Sequence, residues 1–288
     1  MGDVLYINGR YTTTDEKVIG VEDRGLQFGD SIYEVMKFLR RRALFAREHY
    51  ARMMNGLGTL EIRSPWTEEE FLALNEELIG RTAFDEGLIY VQVTRGETQR
   101  NHYWKEDAAP TAIAYTRQHR FPDAEKKERG MAVITTPEIR WRACNLKTTN
   151  LLPNTMAKKK AQRAGAEEVL FIEDGQVREG AAATFFAIRE GRLITHPADQ
   201  FILPGTVRDQ IISIALEEKI RVDERPVTEN ELFSVDEAFV TSTSMAVMPV
   251  TAIDDRTIGN GRRGEITTLL QRLYDGREEA AANGATAL

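Results

Sequence analysis

The segment from Ile139 to Ile188 most constrains what this chain can fold into, because it sets one isolated lysine and one carboxylate at the ends of regular structure. Lys147 lies outside any run of charges, and the next three residues, Thr-Thr-Asn, lead directly into a helix-like segment. Glu179 follows 32 positions later, shortly before a run of small and aromatic residues at 181–188 that is typical of a strand. We therefore expect folding to bring the Lys147 amine and the Glu179 carboxylate face to face.

An amine and a carboxylate that face each other are what a Schiff-base enzyme needs. The amine binds an aldehyde cofactor, and the anion keeps the ring nitrogen of that cofactor protonated. The alternative interpretation is a solvated surface lysine and an acid that only precedes a turn, and the spacing alone favours it. The rest of the chain has to decide between the two.

The composition excludes several classes of protein. The 288 residues suffice for one large or two medium domains, and a formal net charge of −7 lacks the basic footprint of a nucleic-acid binder. No apolar run approaches the ~20 residues of a membrane helix, and the first residues lack the features of a signal peptide. The single cysteine, Cys144, fits a reducing compartment. We therefore expect a cytoplasmic protein with no nucleic-acid partner and no membrane association.

Residues 1–116 are predicted to form a small α/β domain. Two short strands flank a turn at Asn8 and Gly9, and Thr67 and Glu70 form the capping box of a helix. Further elements are a strand at 32–39, a strand at 43–46, a helix at 48–60, the capped helix at 68–80, and strands at 88–95 and 112–115.

The charge-rich segment 117–130 is predicted to be an interdomain linker, followed by a larger domain over 131–288. The predicted elements of this domain are a strand at 131–135, a helix at 152–164, hairpins at 169–179 and 183–195, a helix at 211–218 and a strand at 237–240.

Three segments carry candidate ligand-binding groups. Arg100 and His102 lie in the loop after the strand at 88–95, where a guanidinium and an imidazole could bind a carboxylate; the alternative is a solvated loop. The Gly-Thr turn that precedes the helix at 211–218 and the hydroxyls at 241–244 suit a phosphate, although each is also an ordinary polar turn. No second His or Cys lies at metal-ligand spacing, so we expect no metal site.

Taken together, these segments resemble one known family. They are EDRGLQFGDSIYEVMK, EHYARM, IYVQVTRG followed by RNH, IRWRACNLKTTNLL, VREG, THPADQFILPG, and FVTSTS with MPV. In this order, and over nearly the whole chain, they resemble the pyridoxal-phosphate aminotransferases of fold type IV. The Arg-x-His at 100–102, together with Tyr33, points to the D-amino-acid aminotransferases within that family.

The resemblance implies an α/β (α+β) fold, with a small α/β domain before the linker and a larger domain with a barrel-like sheet after it. It also implies a cofactor, pyridoxal 5′-phosphate, and a role for each matching residue. Lys147 is similar to the Schiff-base lysine, which also carries a proton between the substrate α-carbon and the cofactor C4′. Glu179 is similar to the partner of the pyridine nitrogen, and Leu203 to the residue that supports the ring.

Other residues match the family's contacts to phosphate and substrate. The phosphate contacts implied are Arg52, the backbone N–H groups of Thr206 and Val207, and the hydroxyls of Ser242 and Thr243. Tyr33, Arg100 and His102 are similar to the residues that bind the substrate α-carboxylate. In this family the loop with the last two reaches the neighbouring subunit's site, so the resemblance implies a homodimer.

The resemblance thus implies a transaminase that exchanges the amino group of a D-amino acid with a 2-oxo acid such as 2-oxoglutarate or pyruvate. Its alternatives on the same fold are a branched-chain L-amino-acid aminotransferase, an (R)-amine transaminase and aminodeoxychorismate lyase. A cofactor carrier without turnover is a further alternative. The chain also departs from the family pattern: Ala181, Ala182 and Ala183 replace serines, Gly-Thr-Val-Arg replaces Gly-Ile-Thr-Arg, and Arg178 is an extra cation.

Overall fold

The computed structural model describes residues 3–284, which form two compact units. Unit 1 comprises the residues up to Arg120, the segment Leu146–Asn150 and the residues from Glu278. Unit 2 comprises Phe121–Asn145 and Leu151–Arg277. Within residues 3–284, no helix combines the length and apolar character needed to cross a membrane.

Unit 1 contains a six-stranded antiparallel sheet with the strand order β2-β1-β6-β5-β3-β4. Helices α2 and α3 contribute Met53, Leu57, Phe71 and Leu78 to a fully buried core with the sheet. The elements are β1 (Val4–Ile7), β2 (Arg10–Thr13), α1 (Arg24–Phe28), β3 (Ser31–Leu39), β4 (Arg42–Ala43), α2 (Ala46–Thr59), α3 (Glu68–Arg81), β5 (Gly87–Thr94) and β6 (Thr111–Gln118).

Local sequence signals explain much of unit 1. Asn8 and Gly9 have φ angles of 45° and 87°, as the predicted tight turn between two strands requires. The predicted capping box of α3 is confirmed, since Thr67 and Glu70 satisfy each other's backbone N–H groups. The predicted strand at 43–46 is wrong beyond its first residue. Phe45 has a φ of 55°, which is left-handed and ends the strand, so that α2 begins at Ala46.

Unit 2 contains a mixed sheet of nine strands, in the order β12-β11-β10-β13-β14-β7-β8-β9 with β15 paired to β14. This confirms the larger domain with a barrel-like sheet. Apolar side chains from β8, β10, β13 and β14 form its buried core. The elements are α4 (Ala124–Arg129), β7 (Met131–Pro137), α5 (Leu152–Arg163), β8 (Glu168–Glu173), β9 (Gln176–Val177), β10 (Thr184–Arg189), β11 (Arg192–Thr195), α6 (Thr206–Glu217), β12 (Val222–Glu224), α7 (Glu229–Leu232), β13 (Glu237–Ser242), β14 (Ala246–Ile253), β15 (Arg256–Thr257) and α8 (Glu265–Ala282).

Three further differences from the predicted segments concern the linker, the start of α6 and residues 146–150. The predicted linker 117–130 contains the last residues of β6 and the helix α4, which Asp123 caps. Helix α6 begins at Thr206, after its N-cap Gly205, so the Gly-Thr turn opens the helix itself and the helix starts before the predicted apolar segment 211–218. Residues 146–150 pack with unit 1, although the predicted larger domain 131–288 includes them.

The buried ion pair between Lys37 and Glu278 fixes the end of α8 within unit 1. Their charged atoms lie 2.6 Å apart, and their side chains are 10% and 7% exposed. Glu278→Ala should lower the free energy of unfolding by about 3 kcal/mol, because loss of one partner of a buried ion pair leaves the other charge poorly compensated. Thermal unfolding monitored by calorimetry measures the change.

The next residue on α8 provides the matched control. Glu279 also lies 2.6 Å from an arginine, Arg40, but both of these side chains are more than half exposed. Glu279→Ala should therefore leave the unfolding midpoint unchanged. Equal midpoints for Glu278→Ala and Glu279→Ala would contradict the structural role of the buried pair.

Candidate active site

Lys147 is held against strand β3 by backbone pairing within unit 1. The N–H of Tyr33 donates to the carbonyl of Lys147 at 2.9 Å, and Ile32 and Thr148 form an antiparallel bridge. The hydroxyls of Ser31 and Thr149 lie 2.6 Å apart. This pairing explains why residues 146–150 belong to unit 1 and gives the half-buried Lys147 side chain a fixed origin.

The structure brings two of the predicted site residues together. The Nζ atom of Lys147 lies 4.4 Å from the centre of the Tyr33 ring. An ammonium over an aromatic face is attracted by the ring's electrons, which stabilises this placement of the amine. The lysine that we predict to bind the cofactor and the tyrosine that we predict to bind substrate are therefore neighbours.

Arg52 is oriented by a buried carboxylate that sequence reasoning missed. Its Nε and Nη2 atoms donate to the two oxygens of Glu34 at 2.8 and 2.7 Å. Nδ1 of buried His49 lies 2.7 Å from the same carboxylate. The alternation of β3 could have revealed this group, because Glu34 must face away from Tyr33.

The charges of this cluster are well defined. Burial alone would raise the pKa of Glu34, but the Arg52 guanidinium and the hydrogen bond with His49 outweigh burial and hold that pKa well below its usual range. Burial lowers the pKa of His49, and the nearby charges of Arg52 and Lys147 lower it further, against the effect of Glu34. Glu34 is therefore an anion and His49 a neutral ring at pH 7.

Arg100 and His102 lie on opposite sides of Asn101 in the loop that follows β5, and both side chains are exposed. They share one contact surface, the ring of Phe28. The Arg100 guanidinium carbon lies 4.7 Å from the ring centre, and the His102 ring lies 5.7 Å from it. The two predicted carboxylate-binding groups are thus brought to one place.

Glu179 is a buried carboxylate in unit 2. One oxygen accepts a hydrogen bond from Nη1 of Arg140 at 2.6 Å, and both oxygens lie 3.2 Å from the N–H of Leu203. Burial raises the pKa of Glu179 to about 7, although Arg140 and Leu203 both act to lower it. Lys147 belongs to unit 1 and Glu179 to unit 2, so their pairing stays a prediction.

Arg140 is the second group that sequence reasoning missed. Its Nε and Nη2 atoms donate to Glu138 at 3.0 and 2.7 Å, and its guanidinium lies 4.4 Å from the Phe171 ring centre. The arginine is therefore shared between two carboxylates. Its position seven residues before Lys147 was visible in the sequence, but no pattern there links it to Glu179.

The predicted phosphate contacts of unit 2 fit an anion. The N-cap residue of α6 is Gly205, which has no side chain that could bond to the N–H groups of the first turn. A Cβ atom at Gly205 would meet the Thr184 hydroxyl at 3.0 Å. The buried hydroxyl of Thr241, which precedes Ser242 and Thr243, has no hydrogen-bond partner among the described residues. These features match the phosphate of the predicted cofactor.

Arg178 has partners of its own in unit 2. It donates to Gln176 at 3.0 Å and to Glu173 at 3.1 Å, it lies 3.0 Å from Nε2 of His196, and its guanidinium stacks 4.2 Å from the Phe201 ring centre. None of these groups bonds to Glu179. The extra cation therefore supports the sheet around Glu179 rather than the carboxylate itself.

Comparison with known proteins identifies relatives over nearly the full chain. The family model described as amino-transferase class IV matches residues 31–253. A D-alanine aminotransferase of Bacillus licheniformis is 36% identical over 93% of this chain and 94% of that protein. A D-alanine aminotransferase of Staphylococcus epidermidis is 35% identical over 94% of this chain and 96% of that protein.

Solved structures give the same fold. The branched-chain amino acid aminotransferase of Escherichia coli has a TM-score of 0.89 and 23% sequence identity, covering 100% of this chain and 97% of that one. The predicted architecture is therefore confirmed. At this level of identity the likeness concerns the fold alone.

The raised pKa of Glu179 generates a prediction for the cofactor-free protein. A carboxyl with a pKa of about 7 in the folded state and about 4.3 when unfolded binds more protons when folded, so stability falls as pH rises between these values. Glu179→Gln removes this loss and should be more stable than the unsubstituted protein above pH 7, by at most about 4 kcal/mol.

Urea unfolding of both cofactor-free proteins from pH 4.5 to pH 8 measures the difference. The pKa of His49 is lowered in the folded state, so His49 makes stability rise with pH up to about 6.5, the pKa of an unfolded histidine. This contribution is the same in both proteins and cancels in the difference between them. A stability difference that does not change with pH would show that Glu179 titrates normally.

Proposed function

Because this chain belongs to the class IV aminotransferase family, we propose that it transfers the amino group of a D-amino acid to a 2-oxo acid such as 2-oxoglutarate or pyruvate. The observation that carries the substrate assignment is the nearly full-length likeness to proteins named D-alanine aminotransferase. The loop with Arg100 and His102 supports it, since it presents two donors for a carboxylate.

Class IV aminotransferases depend on pyridoxal 5′-phosphate. When bound, this cofactor withdraws electrons from the substrate α-carbon and so makes the α-proton acidic. Lys147 would hold the cofactor aldehyde through Nζ, and once the substrate amine has displaced it, the freed amine would move the proton between the substrate α-carbon and the cofactor C4′. The Tyr33 ring lies beside Nζ and would keep the amine near the atoms between which it moves the proton.

Glu179 would keep the cofactor ring nitrogen protonated. Its pKa of about 7 in the protein alone means that it gains or loses a proton easily at neutral pH. A cationic ring nitrogen next to it would favour the anion, and the Arg140 hydrogen bond stabilises that anion. The Leu203 N–H fixes the carboxylate orientation, while its side chain supports the ring.

The cofactor phosphate is bound by separate groups. Arg52 would be one contact, and its bidentate bond with Glu34 fixes the plane of its guanidinium. The N–H groups of Thr206 and Val207, at the N-terminus of α6, are further contacts, where the helix dipole favours an anion. The hydroxyls of Ser242 and Thr243 complete the set.

Tyr33, Arg100 and His102 bind the substrate α-carboxylate. Arg100 and His102 act on the site of the neighbouring subunit, so the active protein is a homodimer. A chain that works on these small metabolites needs no nucleic-acid or membrane partner, and we place it in the cytoplasm. A branched-chain L-amino-acid aminotransferase is the second candidate, since the Escherichia coli enzyme of that type shares the fold.

A substrate panel tests the assignment. Purified protein should exchange amino groups between D-alanine or D-glutamate and a 2-oxo acid at least about 100-fold more efficiently than it uses the L-enantiomers, because the bound carboxylate fixes which face of the α-carbon meets Lys147. Initial rates with D- and L-amino acids and (R)-amines, each with 2-oxoglutarate and with pyruvate, give the ratios.

Each rival predicts another outcome. Preference for L-leucine would indicate the branched-chain enzyme, and preference for (R)-amines the amine transaminase. Release of pyruvate from aminodeoxychorismate without any 2-oxo acid would indicate the lyase. A yellow protein that turns over none of these compounds would indicate a cofactor carrier.

Lys147→Ala tests the chemical role of the lysine. The variant should lose the yellow colour of the bound cofactor and at least about 1,000-fold in turnover, because both the covalent attachment and the proton carrier are removed. Lys159→Ala is the control, since Lys159 is exposed on α5 and its Nζ donates to Gln162 of the same helix. Full activity in Lys147→Ala would disprove the assigned role.

A further inference from the structure

One carboxylate in unit 1, Asp30, joins two buried arginines. Its Oδ2 atom accepts from Nε of Arg24 at 2.9 Å and from Nε of Arg95 at 2.7 Å, and Oδ1 accepts from Nη2 of Arg95 at 3.1 Å. The side chains of Arg24 and Arg95 are only 4% and 5% exposed. Buried charges of this kind persist only where their hydrogen bonds are well satisfied, so the three side chains form one rigid group.

Arg24 connects this group to the middle of the loop 96–104, which carries Arg100 and His102. Its Nη1 atom donates to the backbone carbonyl of Asn101 at 2.7 Å. Asn101 lies between the two residues that we propose bind the substrate carboxylate. The Arg24 guanidinium also lies 4.5 Å from the centre of the Phe28 ring, the ring that Arg100 and His102 contact.

The two ends of the loop are held by the same neighbourhood. At its start, the N–H of Arg24 donates to the carbonyl of Gly96 at 3.0 Å. At its far end, the ring of Trp104 stacks 4.4 Å from the Arg95 guanidinium. Arg95 in turn donates to the carbonyls of Leu60 and Glu61, directly after α2, the helix that carries Arg52.

Positioning of this loop has a direct functional consequence. Arg100 and His102 are exposed, and an exposed arginine loses rotamer freedom when it binds a ligand. A backbone that is already fixed reduces the ordering that substrate binding requires. We propose that Arg24, oriented by Asp30, is a positioning residue that fixes the loop through the Asn101 carbonyl and so sets the affinity for substrates with an α-carboxylate. This inference rests on the proposed function.

Arg24→Lys tests the proposal with little change in charge. A lysine retains a positive charge for Asp30, but its single ammonium cannot also reach Asn101 in the way that the guanidinium fork does. The apparent dissociation constant for D-alanine in the first half-reaction should rise about 10-fold, as expected for the loss of one charged hydrogen bond. The rate constant at saturating D-alanine and the affinity for pyridoxal phosphate should stay within about twofold of the unsubstituted enzyme.

Hydrogen exchange provides a readout that does not depend on activity. The amides of residues 98–104 should exchange faster in Arg24→Lys than in the unsubstituted protein, while those of β3 and β5 keep their rates. Phe28→Leu, which removes the ring that Arg100 and His102 contact, should weaken D-alanine binding in the same direction. Arg81→Lys is the matched control: Arg81 also combines an ion pair, with Glu77, and a stacked ring, Tyr11, but is exposed.

Two results would overturn the inference. In one, Arg24→Lys leaves both the loop exchange and the D-alanine affinity unchanged. In the other, it lowers D-alanine affinity, cofactor affinity and the unfolding midpoint together, which would assign Arg24 to overall stability. An unsubstituted enzyme that fails to react with any D-amino acid would instead refute the proposed function, and the exchange rates of residues 98–104 would still decide whether Arg24 positions the loop.

Discussion

Carboxylates that are largely removed from water and that bind arginines hold the candidate site residues in position. Removing an ionised group from water costs several kcal/mol, so such a group is stable only where charged hydrogen bonds replace its hydration. In the proposed function, the pairs support, in turn, the binding of phosphate, the placement of the loop with Arg100 and His102, and the control of the ring nitrogen. In that order, they are Glu34 with Arg52, Asp30 with Arg24 and Arg95, and Glu179 with Arg140.

Glu34 and Glu179 are two kinds of buried carboxylate: Glu34 orients an arginine, whereas Glu179 can exchange a proton near pH 7. Both are buried, yet the pKa of Glu34 lies far below its usual range and that of Glu179 is raised to about 7. Glu34 receives two bonds from Arg52 and a third from His49, whereas Arg140 divides its donors between Glu179 and Glu138. An incompletely compensated carboxylate can exchange a proton near pH 7, which suits a partner of a ring nitrogen.

Local chemistry made part of this molecule predictable from its sequence. The Asn8-Gly9 turn and the Thr67 capping box are encoded within a few residues, and the lysine and phosphate segments carry motifs of a known family. The partners of the arginines were not predictable, because Arg140 and Glu179 are 39 residues apart and no periodicity records which side chains meet. The bounds of α6 were only partly predictable, because the apolar periodicity begins at Ile211 while the helix begins at Thr206, after the N-cap Gly205.

Strand β3 positions the candidate functional groups of unit 1. Its backbone binds the segment that carries Lys147, and the Tyr33 side chain lies beside the lysine amine. The next residue, Glu34, points to the opposite face and orients Arg52, while Asp30 directly precedes the strand and anchors the arginines beneath the loop. A shift of β3 by one residue would exchange the faces of Tyr33 and Glu34 and disturb these functions together. The register of this one strand therefore couples the position of Lys147 to that of Arg52, the arginine that we propose binds phosphate.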